Sequence, residues 1–299
     1  MKEQTKSGFV AIVGRPNVGK STLLNHILGF KLSITSRKPQ TTRHRLLGIF
    51  TQDDLQMVFV DTPGLNAKFE KQSSEMDRFM NHQAVGVLSD VDICLHVMDA
   101  RGWREEDDNV VRHLVSANVR SICAMNKVDR VNPKPKLLPV MKLASEKHPY
   151  DEIIPISALK NDGLEVLINQ VGKRLPQGPH LYSEKEITDR PVRFLVAEMI
   201  REKVVRQLGD ELPYRTTVVV ESFSEQAKVT SIDAVIYVEK ESQKGIVIGK
   251  AGSRLKSIGT ASRQSIESFL HKQVFLNVVV RVHRGWTNER LALASLGYQ

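Results

Sequence analysis

The first half of the chain alternates short apolar runs with longer amphipathic stretches. The apolar runs have the length of buried β-strands and cover residues 9–13, 45–51, 56–61, 93–99, 120–125 and 152–156. The stretches between them have helical periodicity and cover residues 21–28, 79–88, 105–117, 136–147 and 164–175. Apolar strands that alternate with helices are typical of an α/β fold with a doubly wound, mostly parallel sheet. We therefore predict such a domain at residues 1–176.

The pattern changes after Leu175, where Pro176 and Gly178 end the last helix of this series. We predict a linker at residues 177–190. The second half then begins with an amphipathic helix at residues 192–208, followed by two alternating β-rich runs at 215–223 and 231–238. A glycine-containing turn and helical segments lead to a third β-rich run at 273–282. This order predicts a separate α+β domain at residues 191–299.

A phosphate-binding loop of the form G-x-x-x-x-G-K-[ST] follows the first predicted strand. Gly14 and Gly19 stand where the backbone must curl around phosphates, and Lys20 supplies a cation for the β- and γ-phosphates. The Ser21 hydroxyl is a candidate Mg²⁺ ligand. The predicted phosphate-binding residues are Gly14, Arg15, Pro16, Asn17, Val18, Gly19, Lys20, Ser21 and Thr22.

A second motif, D-T-P-G, follows the strand predicted at 56–61. Asp61 is expected to hold Mg²⁺ through water, and the Gly64 N–H to meet the γ-phosphate. The segment 33–44 is polar and basic, as a switch loop would be, and we choose Thr42 over Thr41 as the second hydroxyl on Mg²⁺. The predicted residues are Lys20, Thr42, Asp61 and Gly64 for catalysis, Ser21, Thr42 and Asp61 for the metal, and Asp61, Thr62, Pro63, Gly64 and Leu65 for nucleotide contact.

A third motif, N-K-V-D, follows the strand predicted at 120–125 and indicates guanine. A carboxylate at Asp129 accepts hydrogen bonds from the guanine N1–H and the exocyclic amine, a donor pair that adenine lacks. Asn126 is expected to tether loops, and the Lys127 stem to pack on the base. The predicted base-binding residues are Asn126, Lys127, Val128 and Asp129, with Ser157, Ala158 and Leu159 as a loop that contacts guanine through backbone N–H groups.

The residue after D-T-P-G also bears on the rate of hydrolysis. Many signalling GTPases place a water-orienting glutamine there, whereas this chain has Leu65, which cannot hydrogen-bond water. Intrinsic hydrolysis of GTP to GDP is therefore expected to be slow, unless the backbone, another residue or a partner positions the water. Because Asn17 lies beside the predicted phosphates, we also hypothesise a K⁺ ion there.

A G-x-x-G loop in the second half indicates RNA binding. In a KH module such a loop joins two helices and clamps single-stranded RNA, although a glycine turn on a solvated basic face would have the same sequence. The predicted RNA-binding residues are Lys244, Gly249, Lys250, Ala251, Gly252, Arg254 and Lys256. Trp286 and Phe275 could stack on bases, but such aromatics are more often core residues.

Composition narrows the class of protein further. The formal net charge is +9, which favours a polyanionic partner, and we expect RNA and not DNA. No apolar run reaches 18 residues, and the N-terminus lacks an apolar signal region, so we expect a cytoplasmic protein. We separately expect it to be a monomer. Cys94 and Cys123 lie in apolar runs and are expected to be reduced.

Together these motifs resemble the Era family of bacterial GTPases. The resemblance rests on GRPNVGKSTLLN, TSRKPQTTRHR, DTPGL, NKVD, ISAL, IREK, ELPY and VIGKAG, and covers nearly the whole chain. It implies a Ras-like GTPase domain followed by a type II KH domain. It also implies binding near the 3′ end of 16S rRNA, a role in maturation of the small ribosomal subunit, and peripheral association with the inner membrane.

Two other functions stay open at this point. The KH-like domain would instead dock on a protein or on anionic lipid, or the chain would chiefly be an RNA-binding scaffold with incidental GTP turnover. Steep salt dependence without sequence preference would favour lipid or nonspecific binding.

Overall fold

The computed structural model describes residues 5–35, 42–63, 74–209 and 212–298. The chain forms two compact units, and the boundary between their main parts falls between Asp189 and Arg190.

The first unit is built on a sheet whose strand order, over the described residues, is β2-β3-β1-β4-β5-β6. Among the strands so described, β2 pairs antiparallel with β3, and the other neighbouring pairs are parallel. The strands are β1 (Lys6–Val13), β2 (Leu46–Gln52), β3 (Leu55–Asp61), β4 (Ile93–Asp99), β5 (Ser121–Asn126) and β6 (Glu152–Ile156). The mostly parallel α/β sheet predicted from the apolar runs is confirmed.

Helices separate these strands as the periodicity predicted. They are α1 (Lys20–Leu28), α2 (Glu75–Gly86), α3 (Glu105–Ala117), α4 (Leu137–Lys147) and α5 (Leu164–Arg174). Part of the core packs residues of β1 and β3, such as Val13 and Val58, against Val110 and Leu114 of α3. Since strands of a parallel sheet are covered on both faces, they carry continuous apolar runs.

One helix boundary differs from the prediction. The helix predicted at 79–88 begins four residues earlier, at Glu75, and ends at Gly86. Met76 and Met80 are both buried and lie one helical turn apart. The polar residues around Met76 obscured that spacing in the sequence.

The predicted linker lies against the first unit as an extended strap. Thr5 and Ser7 donate side-chain hydrogen bonds to the carbonyls of Gly178 and Pro179. Gln56 of β3 binds the backbone of Tyr182 through both ends of its amide, at 2.9 Å for each bond. These hydrogen bonds hold residues 178–182 against the first unit.

The second unit is a sheet of order β7-β8-β9 packed against helices. Its elements are α6 (Val192–Gln207), β7 (Thr216–Glu225), β8 (Val229–Val238), α7 (Glu241–Ile248), α8 (Ser253–Leu270), β9 (Gln273–Val282) and α9 (Arg290–Ser295). β7 and β8 pair antiparallel, whereas β8 and β9 pair parallel because the two helices α7 and α8 connect them. The α+β architecture predicted for this half is confirmed.

Helix α6 is more buried than its predicted amphipathic pattern indicated. Glu198, Arg201 and Glu202 are all buried, and Arg201 forms an ion pair with Glu198 at 2.6 Å. A sequence pattern scores these residues as solvent-facing, since charged side chains are rarely buried without partners. Their burial follows from packing that only the folded unit supplies.

The two aromatic side chains considered for base stacking have different environments. Trp286 is fully buried and stacks on Tyr298 with 5.9 Å between the ring centroids, so it is a core residue. Phe275 is 66% exposed on β9.

Among the helices of the described residues, none combines the length and the apolar character that crossing a membrane requires.

Candidate functional site

The predicted nucleotide site lies at one edge of the large sheet. Asp61, Asp99 and Asn126 are the last residues of β3, β4 and β5, and Ser157 directly follows β6. These strands run parallel, so their carboxyl ends meet at the same edge. The phosphate-binding loop joins the end of β1 to the start of α1 at that edge.

The loop passes so close to other backbone and amide atoms that its two motif glycines have no room for a side chain. Gly14 has a φ of +148°, and a Cβ built there would lie 2.3 Å from the Val97 carbonyl oxygen. Gly19 has a φ of +108°, and its Cβ would lie 2.3 Å from Asn126 Nδ2. Both positions therefore require glycine on steric grounds as well as conformational ones.

The Lys20 ammonium lies inside the curl of this loop. Its Nζ donates to the carbonyls of Gly14 at 2.8 Å and Arg15 at 3.1 Å. Burial lowers the pKa of Lys20 to about 8, although the nearby Asp61 carboxylate opposes the shift. The cation is thus kept close to the backbone N–H groups that would face an anion.

The three predicted metal ligands converge. Ser21 Oγ lies 3.2 Å from Thr42 Oγ1, which donates to Asp61 Oδ2 at 3.2 Å. Ser33 joins them, because its Oγ donates to the same Asp61 oxygen at 2.7 Å. Sequence reasoning missed Ser33, which lies in a polar loop without a motif of its own.

The donor set suits Mg²⁺. Asp61 Oδ1 is buried and, within the described residues, has no hydrogen-bond partner, while hydroxyl groups surround the other carboxylate oxygen. Burial raises the pKa of Asp61, and the hydrogen bond from Ser33 and the charge of Lys20 oppose that shift. A hard divalent cation would satisfy the unpartnered oxygen, and Mg²⁺ prefers one or two carboxylates with hydroxyl, water and phosphate oxygens.

Some predicted residues lie outside the described part of the chain. These are Gly64, Leu65 and Thr41. Thr62 and Pro63 are the last described residues before that gap, and the Thr62 hydroxyl donates to the Ile12 carbonyl at 3.3 Å.

The predicted base-binding loops are tied together by Asn126. Its Nδ2 donates to the Val18 carbonyl at 2.8 Å, and its Oδ1 accepts from the N–H groups of Lys127 and Ala158. The tethering that the sequence predicted for Asn126 is present. The backbone N–H groups of the loop at 157–159 were expected to face guanine, but the N–H of Ala158 donates to Asn126 Oδ1.

The side chains around the expected base position have partners that the sequence did not predict. Asp129 is exposed and accepts a 2.6 Å hydrogen bond from Ser157 Oγ. Lys127 Nζ donates to the Asn17 carbonyl and, at 3.0 Å, to Asp99 Oδ2. Burial alone would raise the pKa of Asp99, but hydrogen bonds from Arg101 and Lys127 lower it. Leu159 is 60% exposed.

Asp99 is therefore a second residue that sequence reasoning missed. It ends β4 as Asp61 ends β3, and a polar residue at the carboxyl end of a parallel strand was the available signal.

The predicted RNA loop joins α7 to α8 as expected. Gly249 and Gly252 have φ values of +76° and +74°, and Ala251 between them is also left-handed, at +49°. A Cβ on Gly249 would lie 2.8 Å from Arg254 Cβ, and the Arg254 guanidinium donates to the Ile246 carbonyl. Lys250 and Lys256 are exposed, whereas Lys244 and Arg254 are half-buried. The loop thus presents two exposed cations at the N-terminus of the 18-residue helix α8.

Comparison with known proteins supports both halves of this description. Residues 9–127 match a family described as 50S ribosome-binding GTPase, and residues 211–287 match the KH domain family. The chain is 50% identical over 294 residues to GTPase Era of Azotobacter vinelandii, with 98% of this chain and 97% of that protein covered. It is 49% identical to GTPase Era of Pseudomonas aeruginosa strain LESB58, with 98% and 95% covered.

Solved structures agree over nearly the whole length. A crystal structure of Era in complex with MgGDPNP and nucleotides 1506–1542 of 16S ribosomal RNA has a TM-score of 0.94 and 38% identity, with 98% of this chain and 99% of that chain covered. A tyrosine-to-alanine variant of Era from Aquifex aeolicus, bound to GDP and AlF₄⁻, gives the same values.

The close approach at Gly14 leads to a test with a matched control. Gly102 has a φ of +149°, but a Cβ there would meet nothing within 4 Å. We expect Gly102→Ala to cost ~1–3 kcal/mol of unfolding free energy, the cost of a strained backbone. Gly14→Ala adds a clash with the Val97 carbonyl, so it should destabilise more and also abolish guanine-nucleotide binding. Urea denaturation and nucleotide titration measure both effects, and equal effects of the two variants would contradict the steric argument.

Proposed function

The chain belongs to the Era family of GTPases, and from this we propose that it is a GTP-hydrolysing switch that binds 16S rRNA and assists maturation of the small ribosomal subunit. The observation that carries the proposal is the presence, in one chain, of a guanine-nucleotide site and a KH-type G-x-x-G loop.

In the proposed nucleotide site, the loop between Gly14 and Gly19 presents backbone N–H groups to the phosphates, and Lys20 neutralises their charge. Ser21, Thr42 and Asp61 would hold Mg²⁺, and Ser33 fixes the Asp61 carboxylate. Mg²⁺ held there would supply positive charge that neutralises the charge developing on the phosphates during hydrolysis. The slow intrinsic rate that we propose follows from Leu65, whose side chain cannot orient the attacking water.

We also propose a cellular setting. The protein acts as a monomer in the cytoplasm, in contact with RNA and not DNA, with a peripheral association with the inner membrane. The basic side chains at the G-x-x-G loop suit both polyanionic surfaces, RNA and anionic lipid.

The guanine specificity assigned to Asp129 is tested by Asp129→Asn. The asparagine keeps an Oδ1 acceptor for Ser157 but removes the carboxylate for the guanine donors. Loss of two hydrogen bonds to a charged group, each ~1.5–3 kcal/mol, should weaken GTP binding by about a hundredfold or more and favour xanthosine triphosphate. Nucleotide titration measures both affinities.

Asp162→Asn is the control for that experiment. It removes the same charge from an exposed side chain near Ser157, and we expect it to leave GTP affinity unchanged. If Asp129→Asn retained full GTP affinity, the role assigned to Asp129 would be wrong.

A K⁺ ion beside the phosphates is proposed on account of Asn17. This residue has a φ of +63°, and its carbonyl accepts a hydrogen bond from Lys127, so its backbone is fixed at the mouth of the loop. We expect GTP turnover to be faster in K⁺ than in Na⁺ at equal ionic strength. Asn17→Gly, which keeps the positive φ but removes the side-chain amide, should lose the difference. Equal turnover of the unaltered protein in both salts would refute the K⁺ site.

RNA binding is proposed to use the G-x-x-G loop together with the N-terminus of α8. The glycines allow close approach to the RNA backbone, the helix N-terminus favours phosphate, and Lys250 and Lys256 add charge. A protein or an anionic membrane surface is the alternative partner for this loop.

The variant Lys250→Asp/Ala251→Asp tests which partner the loop takes. We expect its affinity for single-stranded RNA with the 3′-terminal sequence of 16S rRNA to fall about tenfold or more, because a lost contact to nucleic acid costs ~1–3 kcal/mol. Fluorescence anisotropy measures this affinity, with a scrambled RNA for comparison. Binding without sequence preference but with steep salt dependence would favour the lipid alternative.

A matched control makes the same charge change elsewhere. Leu138→Asp/Lys142→Asp alters two exposed positions one turn apart on α4. We expect this variant to bind RNA as the unaltered protein does. If both variants lost affinity equally, the effect would come from net charge and the loop would have no specific role.

A further inference from the structure

A buried carboxylate lies behind the phosphate-binding loop. Asp107 is the third residue of α3 and has no exposed surface. Its Oδ2 accepts a 3.2 Å hydrogen bond from Arg15 Nε, and Arg15 is part of the loop itself. A buried charge is stable only when it is paired, and here the Arg15 guanidinium is its partner.

The carboxylate is also held from its own helix. The Arg104 N–H donates to the same Asp107 oxygen at 2.9 Å, which caps α3 and fixes the direction of the side chain. Acidic residues 105–108 suit the positive end of that helix. The Asp107 side chain therefore has a fixed orientation, and it orients the Arg15 guanidinium.

The other carboxylate oxygen faces a histidine. His96 of β4 is fully buried, and its Nε2 lies 3.8 Å from Asp107 Oδ1, while its Nδ1 is 2.5 Å from the Tyr150 hydroxyl. Within the described residues, neither His96 Nε2 nor Asp107 Oδ1 has a hydrogen-bond partner. Asp107 thus has one oxygen bound to the loop and the other facing a ring that Tyr150 holds in place.

Arg15 is linked to Lys20 by a hydrogen bond that its backbone carbonyl accepts. The Arg15 carbonyl accepts a hydrogen bond from Lys20 Nζ at 3.1 Å. Arg15 is thus held by Asp107 through its side chain and itself holds Lys20, the phosphate-binding lysine, through its main chain. Displacement of Arg15 would therefore move a hydrogen-bond acceptor of the principal cation.

From this geometry we infer that Asp107 is a positioning residue of the phosphate-binding loop, which it holds in the nucleotide-binding conformation through Arg15. The inference rests on the proposed function, because it concerns the same site. By this inference, a residue of α3 contributes to the affinity for the nucleotide.

Asp107→Asn separates this role from helix capping. Asparagine can still accept the Arg104 N–H, so the cap stays, but the charge that pairs with Arg15 is removed. We expect the affinity for GDP and for GTP to fall about tenfold, the lower end of the effect of losing a group that orients a ligand-binding residue. The neighbouring Asp108→Asn is the matched control, since Asp108 is half-buried and its carboxylate bonds Lys147 and Trp103 outside the site.

The same titration in an Arg15→Gln background tests the route. If Asp107 acts through Arg15, Asp107→Asn should have no further effect on GDP affinity once Arg15 is changed. If the losses of GDP affinity from Asp107→Asn and Arg15→Gln multiplied in the double variant, the inference would be overturned. A folded Asp107→Asn protein with full GDP affinity would also overturn it. If Asp107→Asn does not fold, as a circular dichroism melt would reveal, Arg15→Gln alone decides, and full GDP affinity of that variant overturns the inference.

The unaltered protein distinguishes the two levels of the argument. Failure of that protein to bind GDP or GTP would overturn the proposed function and, with it, this inference. Normal binding by the unaltered protein with unchanged binding by both single variants would overturn the inference alone.

Discussion

The carboxamide of Asn126 is the interaction on which the nucleotide site depends. It lies at the end of β5 and joins the phosphate-binding loop, its own loop and the loop after β6 through hydrogen bonds to Val18, Lys127 and Ala158. The side chain is almost fully buried, so each of these bonds is protected from water. Its position also dictates a glycine at 19, because the amide nitrogen occupies the space that a Cβ would need.

Around this tether, the site concentrates charges that must be compensated. Lys20 is buried beside Asp61, and the partners of both are backbone carbonyls and hydroxyl groups that leave one Asp61 oxygen unpartnered within the described residues. Arg15 and Asp107 form a second buried pair directly behind the loop. The negative charge of a polyphosphate complements Lys20 and Arg15, and the positive charge of Mg²⁺ complements Asp61. Burying these charges is costly for the protein alone, but the buried charges suit a bound nucleotide.

The sequence predicted nearly every strand and helix, and the reasons for its errors are physical. Continuous apolar runs marked the parallel strands because both faces of the sheet are covered. The start of α2 was predicted too late in the chain, because polar residues flank Met76 in the sequence. The burial of Arg201 was missed altogether, because a charged residue one turn from a partner has the sequence pattern of a solvated helix face.

The chemistry of this protein can be predicted from short motifs whose residues are neighbours in the chain, and these motifs point to phosphate, Mg²⁺, guanine and RNA. The way in which those motifs are supported depends on the fold. Ser33, Asp99 and Asp107 stand in no motif, yet each holds a motif residue by a hydrogen bond across the fold. Ligand-binding residues are specified by local spacing, whereas their supports are specified by which distant segments the sheet brings to one edge, and spacing along the chain carries no trace of that proximity.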